Sequence, residues 1–260
     1  MELIGLLIIG ALLRILFLLG MERLIKPEKL HKNSILRLVR PDKQHKREWK
    51  IVPLSIMIDA IFIVFIPAQL GLIKIGGEIT LWQLAIFAFC HNFTIEFLGY
   101  WSHRAQHTLP SLYRIHAKHH SAIITIPSTA LWFTLRDRLS HTIFAAVGII
   151  LFSQLFGTFA IWSLVVSTTL HDSLNILCHG NREFTPKWFG KIGLSRYVFS
   201  PTHHALHHIN QRGNFSFFSP LFDHMFGSYL EETDDIAERA RNGKGLNSLR
   251  ERESNAEPIR

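Results

Sequence analysis

Sixteen histidines in a chain of 260 residues are many, and their distribution matters more than their number. Five lie within residues 103–120: His103, His107, His116, His119 and His120. A second block holds His203, His204, His207 and His208, with His171 and His179 between the two. On a helix, His103 and His107 stand one turn apart and project from one face. His116 and His120 repeat that relation, and His119 follows His116 by three residues. Adjacent helical residues diverge by about 100°, so His119 and His120 can reach toward two different ions from one turn. His204, His207 and His208 reproduce the same H-x-x-H-H spacing. Neutral imidazole suits iron, zinc, copper and nickel, so the pattern implies a transition metal without naming it. Isolated histidines (His31, His45, His91, His141 and His224) read instead as surface or satisfied core residues. His203 diverges from His204 on a helix and is expected to face protein or solvent.

The elements that carry these residues are apolar. Charged residues make up only 18% of the chain and hydrophobic ones 48%, with 20 Phe and 6 Trp. They fall in long runs. The first, about residues 2–21, is broken only by Arg14, and a helix of that length rises roughly 30 Å, enough to cross a bilayer core. Glu2 follows Met1 where a cleaved signal peptide would be basic, so a retained helix is expected, with Arg14 snorkelling to an interface. Further runs near 52–75 and 79–101 are separated by a turn around Gly71, Gly76 and Gly77. The stretch 141–178 is too long for one crossing and reads as a helical hairpin broken at Gly157-Thr158. Its first helix, from His141 to Phe156, is short for a span, so it either begins earlier or enters the membrane only in part. Asp59, costly inside an apolar run, is expected at a helix interface or a cavity wall.

Residues 22–50 hold ten Lys or Arg against four Asp or Glu, which places that loop in the cytoplasm. Counting crossings from there puts both 102–140 and 179–260 on the same side. The two histidine blocks thus share one compartment, although the topology was assigned without them. Nine clustered imidazoles would repel one another when charged and waste donors when neutral, so metal binding is their expected purpose. The net charge of +8 lies beside apolar runs rather than in a patch interleaved with aromatics, so nucleic acid is not an expected partner. Cys90 and Cys178 form no disulfide framework, which permits a reducing compartment. The expected fold is an all-α, polytopic membrane bundle of about four to five membrane helices with a cytoplasmic di-metal site. Residues 1–78 would form N-terminal membrane helices and a basic loop, 79–230 a catalytic domain, and 231–260 a mobile charged tail.

The sequence resembles the fatty acid hydroxylase/sterol desaturase superfamily of membrane di-iron enzymes. The first matching block is Tyr100-Trp101-Ser102-His103-Arg104-Ala105-Gln106-His107, continuing through Pro110 to His116-Ala117-Lys118-His119-His120-Ser121. His179-Gly180-Asn181 is similar to the family's H-A-N element, and Ser200-Pro201-Thr202-His203-His204-Ala205-Leu206-His207-His208 forms the third block. Asn214-Phe215 and Asp223-His224-Met225-Phe226-Gly227-Ser228-Tyr229 look like its closing segments. The resemblance spans roughly 90–230. Departures are Glu96 where many members have Asp, Phe222 where Trp is usual, and a hairpin lacking an i, i+4 histidine pair.

The resemblance implies two irons, dioxygen, a lipid substrate and an external electron-transfer protein, since no heme or flavin domain is attached. It implies ligation by His103, His107, His116, His119, His120, His179, His204, His207 and His208, with His171 an open alternative. Glu96, Asp172 and Asp223 are candidates to orient ligating imidazoles, and for Glu96 a helix-interface hydrogen bond is the competing reading. Zinc can replace iron at similar ligands. Lipid hydroxylation leads; desaturation uses the same centre, and histidine spacing does not separate them. A membrane zinc hydrolase would need fewer histidines. A metal carrier would want ligands along a crossing path rather than at one face.

Overall fold

The structure is a computed structural model that describes residues 2–38, 42–198 and 200–251. The chain runs through α1 (Glu2–Ile25), α2 (Asp42–Trp49), α3 (Val52–Asp59), α4 (Ile66–Gln69), α5 (Leu81–Thr108), α6 (Pro110–His116), α7 (Leu135–Phe156), α8 (Ile161–Cys178), α9 (Trp188–Lys191), α10 (Pro201–Asn210), α11 (Leu221–Met225) and α12 (Thr233–Arg241). Among the described residues β-structure is limited to isolated bridges, so the fold is an all-α bundle.

Among the described residues, four helical stretches are long and apolar enough to cross a membrane: Leu3–Ile25, Lys43–Gln69, Leu81–Thr108 and Leu135–Phe156. Most aliphatic side chains of α1 are exposed, while Leu18 and Ile25 are buried against Ile56 and Ile176. That distribution suits a helix with lipid on most sides. Between α3 and α4 the chain widens into a π-helix, Ala60–Phe65. Pro67 accounts for it, because proline cannot donate to the carbonyl of Ile63 and its ring clashes there.

At 28 residues α5 rises roughly 42 Å, more than a hydrocarbon core requires, so its last turns project past the apolar region with His103 and His107. α7 begins at Leu135 rather than His141, which makes it a 22-residue helix long enough to cross. Thr134 caps it by accepting from the Asp137 N–H at 3.2 Å. Gly157, with φ of +83°, ends it where the hairpin break was expected. Both α7 and α8 pack on α5 rather than chiefly on each other. Gly148 permits the close approach: a Cβ there would meet the His91 Cα at 3.1 Å.

Two expectations fail. Arg14 turns to carboxylates of neighbouring helices instead of snorkelling. Its Nε and Nη2 donate to Asp172 at 2.7 and 2.9 Å, and its Nη1 donates to Asp59 at 2.9 Å. Arg138 donates to Asp59 as well, joining α1, α3, α7 and α8 in one buried ion-pair network. An intramembrane carboxylate attracts a cation wherever one can reach it, since leaving either unpaired is costly. The segment after Glu231 is also not uniformly mobile. α12 buries Ile236, Ala237 and Ala240 and packs with Ile35, Leu206 and Leu246. Its charges occupy the solvent face, which masks three apolar positions in the composition of the segment. Residues 252–260 lie outside the described residues.

Candidate metal centre

The C-terminal ends of α5 and α8, the end of α6, the turn after it and the whole of α10 converge on one region. There nine histidines form two groups whose ligand atoms lie within 4.8 Å of one another. One holds His103, His107, His116, His120 and His207; the other holds His119, His179, His204 and His208. All are buried except the half-buried His107.

The helical register explains part of this. His103 and His107 share a face of α5 and fall in one group. On α10, His204 and His208 join the second group while His207, between them, turns to the first. His116 and His120 join the first while His119 turns to the second, the mirror of the α10 arrangement. The backbone there is not one continuous α-helix, however. α6 ends at His116 and His119–Ser121 form a 3-10 turn. The reason is local: Thr134 Oγ1 donates to the Ile115 carbonyl and Trp132 Nε1 to the Lys118 carbonyl, both at 2.9 Å.

Hydrogen bonds at the outer ring nitrogens fix what the inner ones can do. The Nδ1 atoms of His103, His119, His179, His207 and His208 face the backbone carbonyls of Phe215, Trp132, Asn175, Gly213 and Ala122 at 2.7–3.1 Å. His116 Nδ1 faces the Asp137 carboxylate at 2.9 Å. Carbonyl and carboxylate oxygens only accept, so each of these Nδ1 atoms carries the proton and each Nε2 keeps a lone pair. Those Nε2 atoms point at one another. His103 and His116 bring theirs to 3.1 Å, and His120 Nε2 lies 3.0 Å from His116 Nε2 and 3.1 Å from His207 Nε2. In the other group His204 Nε2 is 2.9 Å from His179 Nε2, and His119 Nε2 is 3.5 Å from the latter.

His103 faces His116, and His119 faces His179, lone pair toward lone pair, which repels, and charging both rings of either pair would set two buried cations side by side. Burial first, then neighbouring imidazoles, holds His119, His120, His204, His207 and His208 well below the ordinary histidine pKa; burial lowers His179 to about 4. The inner atoms of His107 and His208, both Nε2, have no hydrogen-bond partner. A shared cation satisfies every one of these atoms, so the donor set fits metal ions. All-nitrogen coordination with outer N–H groups tied to oxygens is how proteins hold and tune borderline transition metals.

The other expected site residues fall elsewhere. His171 joins neither group; its ring packs on Phe218 at 4.9 Å. Eight residues before His179, it lies about 12 Å back along the helix. His203 turns away from His204 and places Nε2 at 3.0 Å from Asp223. None of the three proposed orienting carboxylates touches a histidine of either group. Glu96 accepts the backbone N–H groups of Phe217, Phe218 and Ser219, which seats that loop on α5. Gly99 leaves room for the Phe217 ring, which stacks on His103 at 5.2 Å. Asp172 pairs with Arg14. Asp223 accepts the Phe215 and Ser216 N–H groups at 2.8 and 3.0 Å, and so holds the peptide whose carbonyl receives His103 Nδ1.

The carboxylate that does hold such an imidazole is Asp137, which also accepts Gln106 Nε2 at 2.9 Å. In sequence it reads as an ordinary acidic residue in the first turn of a helix. His141, taken as an isolated histidine, lies 3.4 Å from Asp137 and lines the cavity beside the centre. That cavity, about 740 Å³ including its mouth, touches both histidine groups and is walled by Phe133, Phe217 and Phe218.

A membrane-type helical bundle with buried polyhistidine groups defines a class of metal-dependent membrane protein. Within it, the fatty acid hydroxylase family model matches residues 85–228, more than half of the chain. The chain belongs to that family, in the fatty acid hydroxylase/sterol desaturase superfamily. It is 33% identical over 175 residues to Protein CER1-like 1 of Arabidopsis thaliana, covering 65% of this chain and 28% of that one. It is 33% identical over 154 residues to the very-long-chain aldehyde decarbonylase CER1 of the same plant, covering 58% and 24%. The very-long-chain aldehyde decarbonylase GL1-7 of Oryza sativa subsp. japonica is 31% identical over 156 residues, covering 59% and 24%. The aligned part therefore spans about a quarter of the length of these relatives. No solved structure matches.

Proposed function

We propose that this chain is a multi-pass membrane oxygenase that hydroxylates a lipid C–H bond, with residues 79–230 as its catalytic unit. The observation that carries the reading is the pair of groups of inward-facing imidazole lone pairs opening on an aromatic-walled cavity. His103, His107, His116, His120 and His207 would hold one iron, and His119, His179, His204 and His208 a second. Two bound irons would supply the reductive activation of dioxygen, with electrons from a separate protein. The chain's own share is position and exclusion. Outer hydrogen bonds fix six of the nine rings, and Phe133, Phe217 and Phe218 would keep water from the reacting carbon. The basic segment 22–50 favours a cytoplasmic active site. Cysteines placed at Lys43 and Ser121 should resist labelling from outside intact cells, and labelling of either would reverse the orientation.

A second reading, decarbonylation of a lipid aldehyde, is favoured by the names of the relatives at 31–33% identity. Lipid mass spectrometry of cells with and without the chain, under isotopically labelled dioxygen, decides among the reactions. A hydroxylase yields an alcohol carrying the label. A desaturase yields an unsaturated lipid without it, and a decarbonylase yields a hydrocarbon one carbon shorter than its aldehyde. Turnover indifferent to dioxygen would favour a zinc hydrolase and end the oxygenase reading.

A further inference from the structure

The cavity that starts at the histidine groups has a second polar end. His91 precedes His103 by twelve residues on α5, and His171 precedes His179 by eight on α8, so this end lies roughly 12–18 Å from the centre along the helices. Both rings line the cavity, with centroids 6.3 Å apart. His91 Nε2 and His171 Nδ1 are buried without a hydrogen-bond partner, and neither residue belongs to a metal-type group. His91 is only 2% exposed. Around them Arg14, Arg138, Asp59 and Asp172 set two cations against two anions, already paired with one another.

The proton on His91 can be placed. Asn92 Nδ2 donates to the Ala88 carbonyl at 2.8 Å, which fixes its amide, and also donates to Ser167 Oγ at 3.1 Å. The Ser167 hydroxyl proton then has His91 Nδ1, at 2.7 Å, as its acceptor. A neutral ring accepting at Nδ1 carries its proton at Nε2. His91 therefore presents an N–H to the cavity, and a buried donor left without an acceptor is unfavourable.

We propose that the cavity takes a lipid bearing an uncharged oxygen function, a hydroxyl or carbonyl, remote from the carbon oxidised, and that His91, with His171 beside it, reads that oxygen. The proposal rests on the lipid-oxygenase reading and narrows its substrate class. An ionised carboxylate fits poorly, because it would bring one unbalanced charge into a network already balanced and removed from water.

The test is binding without turnover. Full-length, metal-loaded protein in detergent is offered hexadecanol, hexadecane and hexadecanoate in competition under nitrogen, and bound lipid is read by native mass spectrometry. Hexadecanol should outbind hexadecane by about tenfold, the worth of one hydrogen bond, and hexadecanoate should gain nothing over hexadecane. His91→Phe should erase the preference at unchanged metal content, and His91→Gln, which retains an N–H, should restore part of it. Equal binding of hexadecanol and hexadecane would overturn the proposal. So would strongest binding of hexadecanoate, or a preference that survives both His91→Phe and His171→Phe. The two readings fail separately. A preference in a protein that forms no oxidised lipid defeats the oxygenase, whereas oxidised product without the preference defeats the oxygen-reading site.

Discussion

The histidine centre and the Arg14–Asp59–Arg138–Asp172 network are both buried polar assemblies, and adjacent residues of α7 serve them. Asp137 turns to His116, and Arg138 turns to Asp59. They differ in what satisfies them. The ion-pair network closes on itself, each charge meeting an opposite one. The histidine centre is closed only at its rim, where five carbonyls and Asp137 take Nδ1 protons, and is left with facing lone pairs inside. A closed network holds helices together. An assembly satisfied outside and unsatisfied inside is built around something else.

The same contrast explains what the sequence shows beforehand. His103 and His107, or His204 and His208, are one turn apart, so a local rule of helix geometry puts them on one face. The partners of Arg14 lie 45 and 158 residues away, and no periodicity encodes that pairing. Apolar run length led to about four to five membrane helices, against four that are long and apolar enough to cross among the described residues, because burial in lipid acts on each segment separately. Glu96 and Asp223 stand in recognisable places but act through loop N–H groups, whose geometry only the folded chain supplies. Asp137 was legible only as a helix-start acid, and α12 was obscured by its own charged face.

Removing an inner ligand should break the contrast most severely. His120→Ala or His208→Ala should strip metal from its group and abolish oxidation while membrane insertion persists. Elemental analysis beside product formation checks this, and near-zero metal with activity retained would end the metal reading.

The closed network should respond in stability instead. Asp59→Ala leaves two guanidiniums facing each other and should cost about 3–5 kcal/mol. Replacing Arg14, Asp59, Arg138 and Asp172 together by apolar residues of similar volume should recover most of it, because a network that satisfies only itself is dispensable. Thermal unfolding in detergent measures both variants. Failure of the quadruple variant to recover would show that the charges do more than pair.

Asp137→Asn probes the point where the regions adjoin. It keeps the shape but weakens the hold on the His116 Nδ1 proton, and should lower metal affinity or activity about 10–100-fold. Metal titration of stripped protein reads the shift. An unchanged affinity would mean that the carbonyl-held rings define the site unaided.

The smallest effect on the centre should come from His203, and its contrast with His204 tests the register most finely. The two are adjacent on α10, so their side chains diverge by about 100°. His204 brings Nε2 to 2.9 Å from His179 Nε2, among the inward-facing atoms. His203 brings its own to 3.0 Å from Asp223, in a pocket that also binds Ser228 Oγ and the Phe215 and Ser216 N–H groups. Since Asp223 keeps three other donors, His203→Ala should cost about 1–3 kcal/mol of stability, the range for an orphaned buried partner, and leave metal content intact. His204→Ala should release metal from its group. Elemental analysis of matched membrane preparations separates the two. Metal lost from His203→Ala but retained by His204→Ala would mean that α10 is rotated by one residue from the register that divides the nine histidines into two groups.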